Sequence, residues 1–259
     1  MKDISIELPQ NIDILKLHTL ADLHIGDTSC DMPLIRQHIK QIAENDNAYC
    51  ILNGDILNNA TKTSVSDCYS ECMPPMEQVQ TAVRLIEPIK DKLLAITTGN
   101  HERRTYQKEG INLMEIFARQ IGLYDRFSDA SAMLYLHFGL DSRRRSEGRK
   151  MTYTVFANHG SGGGRKEGAK AIRLADMACI VDADVYIHSH THLPMIFKQR
   201  TYRANLTNCS SVLVDKLFVN TAAALDYGGY GDVQEYKPSS KDTPIIYLDG
   251  HKRRMWAEL

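Results

Sequence analysis

Aspartate, asparagine and histidine side chains recur in five short motifs spread over most of the chain. In order, the motifs are DLH at 22–24, GD at 54–55, GNHE at 99–102, NHG at 158–160 and SHTH at 189–192. Carboxylate oxygens and imidazole nitrogens are ligands for borderline divalent ions such as Mn²⁺, Fe²⁺ and Zn²⁺. A single Asp-x-His or GNHE is most often a cap or a turn, but five such motifs together indicate a metal site.

The stretch IHSHTHLP at 187–194 places His188, His190 and His192 at every second position. In an extended strand all three imidazoles would emerge on one face, because strand side chains alternate between faces. Three neutral imidazoles on one face can share hydrogen bonds or hold a metal. This stretch alone leaves both interpretations open.

Most of these motifs follow segments that are predicted to be buried strands. The predicted strands are 13–21, 48–55 and 92–101, and apolar residues recur at helical spacing in 33–44 and 75–89. Alternating strands and helices predict a parallel sheet covered by helices, in which sites lie beyond the carboxyl ends of the strands. Asp22, Asp55 and Asn100 stand at those ends.

The second half of the chain predicts further elements. They are a helix at 111–122, a hairpin of 132–140 and 151–160 joined by a basic turn, a helix at 167–178, a strand at 183–192, and alternating segments at 211–223 and 244–259 that we assign to a second sheet. No internal repeat, linker or low-complexity block interrupts the sequence. We therefore expect one domain over residues 1–259.

The five motifs resemble the calcineurin-like metallophosphoesterase family, whose pattern is D-x-H, G-D, G-N-H-[DE], a lone H and G-H-x-H. The resemblance covers roughly residues 13–200. It implies an α/β fold with two sheets in an α-β-β-α sandwich. The chain departs from the pattern at Ser189, where the family has glycine, and a serine is small enough for a tight turn.

The resemblance also implies roles for these residues in phosphate-ester hydrolysis. Two divalent ions would be bound, Mn²⁺ in the first place and Fe²⁺ or Zn²⁺ as alternatives. Asp22, His24 and His192 would hold the first ion, and Asn100, His159 and His190 would hold the second. Asp55 would bridge them. A bridging hydroxide would attack phosphorus in line. His101 would bind no metal, and would steady the phosphate or protonate the leaving oxygen. His188 would support the site or simply pack.

Four residues outside the motifs are candidates for substrate binding. Arg165 and Lys166 follow a glycine-rich stretch before a predicted helix, and Tyr227 and Tyr230 lie in a glycine-containing loop. A helix N-terminus can cradle a phosphate and tyrosines can stack on bases. The plainer interpretations are a glycine hinge with solvated basic residues and an ordinary loop anchored by aromatic rings.

A phosphodiester substrate of DNA, RNA or nucleotide type is slightly favoured by these tyrosines and by the basic segments 102–110 and 141–150. A phosphomonoesterase or protein phosphatase is the alternative, although that branch usually carries an arginine soon after its G-D motif, where this chain has Asn58 and Asn59. A catalytically silent binding subunit would be expected to lose ligands, whereas all seven positions are filled. A single structural zinc site would not need seven ligands.

Composition limits the classes of function and the kinds of partner that remain. The formal net charge of −1 excludes a generally basic coat for nucleic acid, although a local basic patch remains open. The six cysteines are scattered without the paired spacing of a zinc site, which favours free thiols in a reducing cytoplasm. No apolar run approaches the length of a membrane span, so we expect no membrane partner. The oligomeric state stays open.

Overall fold

A computed structural model describes residues 1–62, 64, 68–139, 151–162, 164–228, 232 and 235–259. The predicted basic turn at 141–150 and the candidate Tyr230 lie outside the described residues.

The first sheet contains the three strands predicted in the N-terminal half. In spatial order its strands are β12 (Met255–Glu258), β11 (Ile245–Asp249), β2 (Ile14–Leu20), β3 (Ala48–Asn53), β4 (Leu93–Thr97) and β5 (Phe127–Ser128). The four strands from β2 to β5 pair in parallel, which confirms the prediction of a parallel sheet.

The C-terminal hairpin extends this first sheet, because β11 pairs antiparallel with β2. Our assignment of 244–259 to the second sheet was therefore wrong. Strand alternation shows only that one face is apolar, and here that face carries the buried Ile246 and Leu248 toward the core between the sheets. Either sheet would bury such a face, so the pattern does not choose between them.

The second sheet is built mainly from the second half of the chain. In spatial order its strands are β1 (Lys2–Glu7), β6 (Ala132–His137), β7 (Thr152–Asn158), β8 (Val185–His188), β10 (Ser210–Asn220) and β9 (Met195–Asn205). The hairpin of β6 and β7 is confirmed. The edge strands β1 and β9 were not predicted, because both are rich in exposed polar residues and lack a strong apolar signal.

Helices cover both outer faces of the paired sheets. They are α1 (Met32–Ala43), α2 (Pro75–Ile86), α3 (Asn100–Glu109), α4 (Leu113–Gln120) and α5 (Glu167–Asp176). Apolar residues of α1, α2 and α4, such as Ile35, Val79 and Phe117, pack on the first sheet, and Leu174 of α5 packs on the second. A third apolar cluster fills the space between the sheets. The predicted α-β-β-α sandwich is confirmed.

The carboxyl ends of the central parallel strands of both sheets meet at one end of the sandwich. Asn53, at the end of β3, donates its side-chain amide to the carbonyl of Asn158 at 3.1 Å and to the hydroxyl of Ser189 at 2.8 Å. These bonds tie the last residue of a strand in one sheet to the ends of two strands in the other. None of the helices in the described part of the chain combines the length and apolar character that a membrane span requires.

Candidate metal centre

The seven residues predicted as ligands come together where the two sheets meet. From the first sheet, Asp22 and His24 follow β2, Asp55 follows β3 and Asn100 begins α3 after β4; from the second sheet, His159 follows β7, and His190 and His192 follow β8. Within three overlapping groups, the potential ligand atoms lie within 4.8 Å of one another: Asp22, His24 and His192; Asp55, His159 and His190; and His24, Asp55 and His101.

The first group surrounds a buried carboxylate. Asp22 Oδ1 lies 3.2 Å from Nε2 of His192, and Nε2 of His24 lies 3.4 Å from the same nitrogen. Among the described residues, Asp22 Oδ1 has no hydrogen-bond partner although it is fully buried. A buried carboxylate oxygen without a donor is costly, and a cation between these three side chains would satisfy it.

The second group surrounds Asp55. Asp55 Oδ2 and the Asn100 side-chain oxygen each lie 3.1 Å from Nε2 of His159, whose Nδ1 donates to the carbonyl of Asn53 at 2.8 Å. That last bond orients the ring and directs Nε2 at the two oxygens. The ring of His190 packs against the ring of His159, with centroids 5.3 Å apart.

Asp55 also reaches the side of the site that carries His24 and His101. It is the residue shared between the group with His159 and His190 and the group with His24 and His101. Its Oδ1 accepts the backbone N–H of His101 at 2.8 Å. A central carboxylate that faces imidazoles from both sheets fits the chemistry of a bridging ligand.

The two histidines of the SHTH motif do not lie on a strand. β8 ends at His188, and His190 and His192 have positive φ angles of 64° and 54°. The prediction that three imidazoles share one strand face was therefore wrong. Left-handed residues turn the chain after His188, and this turn aims the rings of His190 and His192 at Asp55 and Asp22.

His188 supports that turn through Asn220. Its Nδ1 lies 2.7 Å from the side-chain oxygen of Asn220, and the amide nitrogen of Asn220 donates to Thr191 Oγ1 at 2.9 Å and to the carbonyl of Leu193 at 2.6 Å. Ser189, in place of the family's glycine, is fully buried and accepts the bond from Asn53 described above.

The loops after β3 and β4 touch through two glycines. A Cβ on Gly99 would lie 2.3 Å from the backbone nitrogen of Asp55, and one on Gly54 would lie 2.7 Å from the Cα of Gly99. Glu102 fixes this contact, because its carboxylate accepts N–H bonds from Gly99 at 2.9 Å, Asp55 at 3.1 Å and Leu57 at 3.0 Å. Glu102 thus caps the start of α3 through Gly99, and its link to Asp55 was not predicted.

Burial and neighbouring charges shift the pKa values of the central pair in opposite directions. Burial alone would raise the pKa of Asp55, but His159 and His101 lower it well below its usual range. Burial alone would lower the pKa of His159, but the adjacent Asp55 raises it to about 10. Without a cation, a proton on His159 thus balances the charge of Asp55, and a bound cation would replace that proton.

His101 differs from the ligand histidines in its contacts. Its Nδ1 lies 2.7 Å from the carbonyl of Asn58, and Arg104 Nη2 donates to its Nε2 at 2.9 Å. Both ring nitrogens therefore have hydrogen-bond partners, even though His101 lies near His24 and Asp55. Arg104 falls in the basic segment 102–110 but was not singled out as part of the site, because the composition of that segment does not show which basic residue α3 presents there.

A cavity of about 420 Å³ opens beside these residues. Its lining includes Tyr227, a candidate for substrate binding, together with Arg104, Lys170 and Tyr236. Lys170 lies in the predicted helix 167–178 but was not singled out there. Neither Arg165 nor Lys166 is part of the lining; the Arg165 guanidinium lies 5.5 Å from the centroid of the Tyr236 ring.

The fold and the ligand set point to a single protein family. The family model of calcineurin-like phosphoesterases matches residues 20–194, and the chain belongs to that family. No curated protein matches the chain significantly.

Several solved structures are similar to this chain. They include a metallophosphoesterase from Sphaerobacter thermophilus (11% identity, TM-score 0.41, covering 91% of this chain and 84% of that one). A single mutant of Vps29 from Entamoeba histolytica has 11% identity and a TM-score of 0.40, covering 94% and 97%. A predicted phosphoesterase from Streptococcus pneumoniae TIGR4 has 11% identity and a TM-score of 0.34, covering 95% and 98%.

Proposed function

We propose that this protein hydrolyses phosphate esters with the help of two divalent cations, Mn²⁺ in the first place and Fe²⁺ or Zn²⁺ as alternatives. The observation that carries the proposal is the position of Asp55, a buried carboxylate within reach of imidazoles from both sheets. When bound, such cations lower the pKa of an attacking water and withdraw charge from phosphate oxygens.

The proposed ligand sets follow the contacts in the site. One ion would be held by Asp22, His24 and His192, where the unpartnered Asp22 Oδ1 faces the imidazole of His192. The other would be held by Asn100, His159 and His190. Asp55 would contact both ions, and the hydrogen bonds of Glu102 would keep its backbone in place.

His101 is proposed to act on the substrate rather than on a metal. Its ring lines the cavity, its Nδ1 is fixed by the Asn58 carbonyl, and its Nε2 faces Arg104. From this position it would steady the phosphate or protonate the leaving oxygen.

Among phosphate esters, a phosphodiester of nucleic-acid or nucleotide type is favoured. Arg104 and Lys170 bring positive charge to the cavity, and Tyr227 and Tyr236 bring aromatic rings that can stack on bases. A phosphomonoester or phosphoprotein substrate is the alternative. Residues 56–59, which follow Asp55 directly, provide no cation for a terminal phosphate.

The test is hydrolysis by protein stripped with a chelator and reloaded with Mn²⁺. We expect bis-p-nitrophenyl phosphate to be cleaved faster than p-nitrophenyl phosphate, and chelator to abolish both activities. A panel of single-stranded DNA, duplex DNA, RNA, cyclic dinucleotides and a phosphopeptide then separates the substrate classes. Preference for the monoester and the phosphopeptide would support the alternative, and inactivity of fully metal-loaded protein on every ester would support a silent binding subunit.

We also propose that the chain forms one domain and acts in the cytoplasm. The six cysteines are free thiols, which supports a reducing compartment.

A further inference from the structure

We propose that Arg104 binds the non-bridging oxygens of the substrate phosphate and thereby determines how tightly the site holds a phosphoryl group. This inference rests on the proposed function, since it assigns a binding residue to the same cavity. It concerns a residue outside the five motifs that carry the metal ligands.

Helical geometry places Arg104 over the candidate metal centre. Asn100, His101 and Arg104 are the first, second and fifth residues of α3, and residues three and four apart lie on one face of a helix. Asn100 and His101 already face the cavity, and Arg104 lines it beside them. The neighbouring Arg103 points elsewhere, because its guanidinium donates to the carbonyl of Asp129.

The present contacts of Arg104 hold its guanidinium ready for an anion. Nη2 donates to His101 Nε2 at 2.9 Å, and Nη1 donates to the carbonyl of Asn58 at 3.3 Å. One of these acceptors is a ring nitrogen and the other is a backbone carbonyl. A phosphate oxygen is a stronger acceptor than either, since a bond between two charged groups is shorter and stronger.

The lysines that line the cavity contact carboxylates or a backbone carbonyl, which favours structural roles for them. Lys237 forms an ion pair with Glu167 at 2.7 Å, and Lys241 pairs with Asp31 and Asp226. Lys170 donates to the carbonyl of Thr191 at 2.8 Å. Arg104 differs in that one of its contacts is the ring nitrogen of His101, a residue that we place at the reacting atoms.

Residues 56–59, which follow Asp55, carry no cation that could bind the phosphate, whereas α3 carries Arg104. Asn59 is fully buried, and its side chain contacts α3 twice. Its amide nitrogen donates to the carbonyl of His101, and its side-chain oxygen accepts a hydrogen bond from the hydroxyl of Thr105, each at 2.8 Å. Asn59 thus anchors the first turns of α3, on which Arg104 stands.

Binding of phosphate to Arg104 would also change the contacts of His101. When an Nη2 hydrogen bond shifts from His101 Nε2 to a phosphate oxygen, Nε2 is released toward the substrate. Two parallel N–H groups of a guanidinium match two oxygens of a phosphate, which an ammonium group cannot reproduce. Substrate binding and the release of His101 would therefore be one event.

The test compares Arg104→Lys and Arg104→Ala with the matched controls Arg103→Lys and Arg103→Ala, all loaded with Mn²⁺. Three quantities are measured: bound metal, the Kd for inorganic phosphate by calorimetry, and kcat and KM for bis-p-nitrophenyl phosphate. We expect unchanged metal content, and a phosphate Kd and a KM that rise about 10- to 100-fold in both Arg104 variants, as loss of a charge-assisted pair implies. Added guanidinium should partly restore Arg104→Ala, and the Arg103 variants should stay within about twofold of wild type.

Wild-type phosphate affinity in Arg104→Ala, or an equal loss in the Arg103 variants, would overturn the inference. Loss of phosphate binding only in parallel with loss of metal would overturn it too, because Arg104 would then be a structural residue. Should Arg104→Ala fail to fold, Arg104→Lys carries the comparison. Failure of the proposed function can be distinguished from failure of this inference. If the wild-type protein hydrolyses no ester, the phosphate Kd values of the wild type and the Arg104 variants still show whether Arg104 binds the anion.

Discussion

At the scale of single residues, the site depends on side chains held in backbone conformations that L-residues seldom adopt. Asp22, His24, Asp55, His190 and His192 all have φ between 48° and 64°. Such residues cost of order 1–3 kcal/mol each and persist only where surrounding contacts fix them. Their concentration in the candidate ligand set indicates that the loops are shaped by the site.

Asp55 and His101 should respond differently to truncation, although they are in direct contact. We expect Asp55→Ala to lose both ions, because the carboxylate is shared, whereas His101→Ala should keep both and lose about 10²- to 10⁴-fold in kcat. Metal analysis and steady-state kinetics measure the two effects. His251→Ala is the control, since His251 lies far along the chain from the ligand motifs, its side chain is exposed and its Nε2 contacts Asp13. The reverse order, with metal lost from His101→Ala alone, would refute the assigned roles.

At the scale of elements, the candidate metal centre is formed because the loops that follow neighbouring strands bind each other through their backbones. Asp22 and His24 donate their N–H groups to the carbonyls of Gly54 and Asp55, each at 3.1 Å. Gly99 closes the contact from the loop after β4. The spacing of Asp22, Asp55 and Asn100 is thus set by three adjacent parallel strands and by two residues without side chains.

A methyl group at Gly99 should separate these loops. Gly99→Ala places a Cβ 2.1 Å from Asp55 Oδ1, so we expect about 1–3 kcal/mol of lost stability together with weakened metal binding. Gly168→Ala is the matched control, because apart from the adjoining residues and backbone of α5 no atom lies within 4 Å of its added Cβ, and alanine stabilises a helix by about 0.5–1 kcal/mol relative to glycine. Denaturant unfolding and metal titration measure both, and equal metal affinity in the two variants would contradict the account.

The sequence predicts the elements that carry the ligands better than it predicts their surroundings. β2, β3 and β4 are apolar runs that end at polar motifs, so both the sheet and the positions of Asp22, Asp55 and Asn100 follow from local pattern. The turn at 189–192 does not, because His-x-His spacing fits a strand equally well. Arg104 was not singled out within the basic segment 102–110, because α3 is polar all round, with Glu102 its one buried residue, and shows no apolar periodicity.

At the scale of the whole molecule, the ligands come from both sheets of the sandwich. Asp22, His24, Asp55 and Asn100 follow strands of one sheet, whereas His159, His190 and His192 follow strands of the other. A cation bound by Asp22 and His192 would therefore link the two layers. Binding to the folded state alone stabilises a protein by mass action, by about 2.7 kcal/mol per site at a free ligand concentration 100 times Kd.

Removal of metal should therefore lower the melting temperature of the whole molecule, and should do so less at low pH. In metal-free protein the pKa of His159 is raised to about 10, so below that pH a cation must displace a proton. Metal affinity should thus rise with pH, by about tenfold per unit for one displaced proton. Calorimetric melting with and without chelator at pH 6.5, 7.5 and 8.5 measures this, and a metal effect that is constant or shrinks with rising pH would contradict it.

The most direct test is anomalous X-ray scattering from crystals grown with Mn²⁺. The account predicts two peaks about 4 Å apart, one beside Asp22 and His192 and the other beside Asn100 and His159, with an oxygen of Asp55 bound to each. A single peak, or two peaks of which either lies out of reach of Asp55, would contradict it.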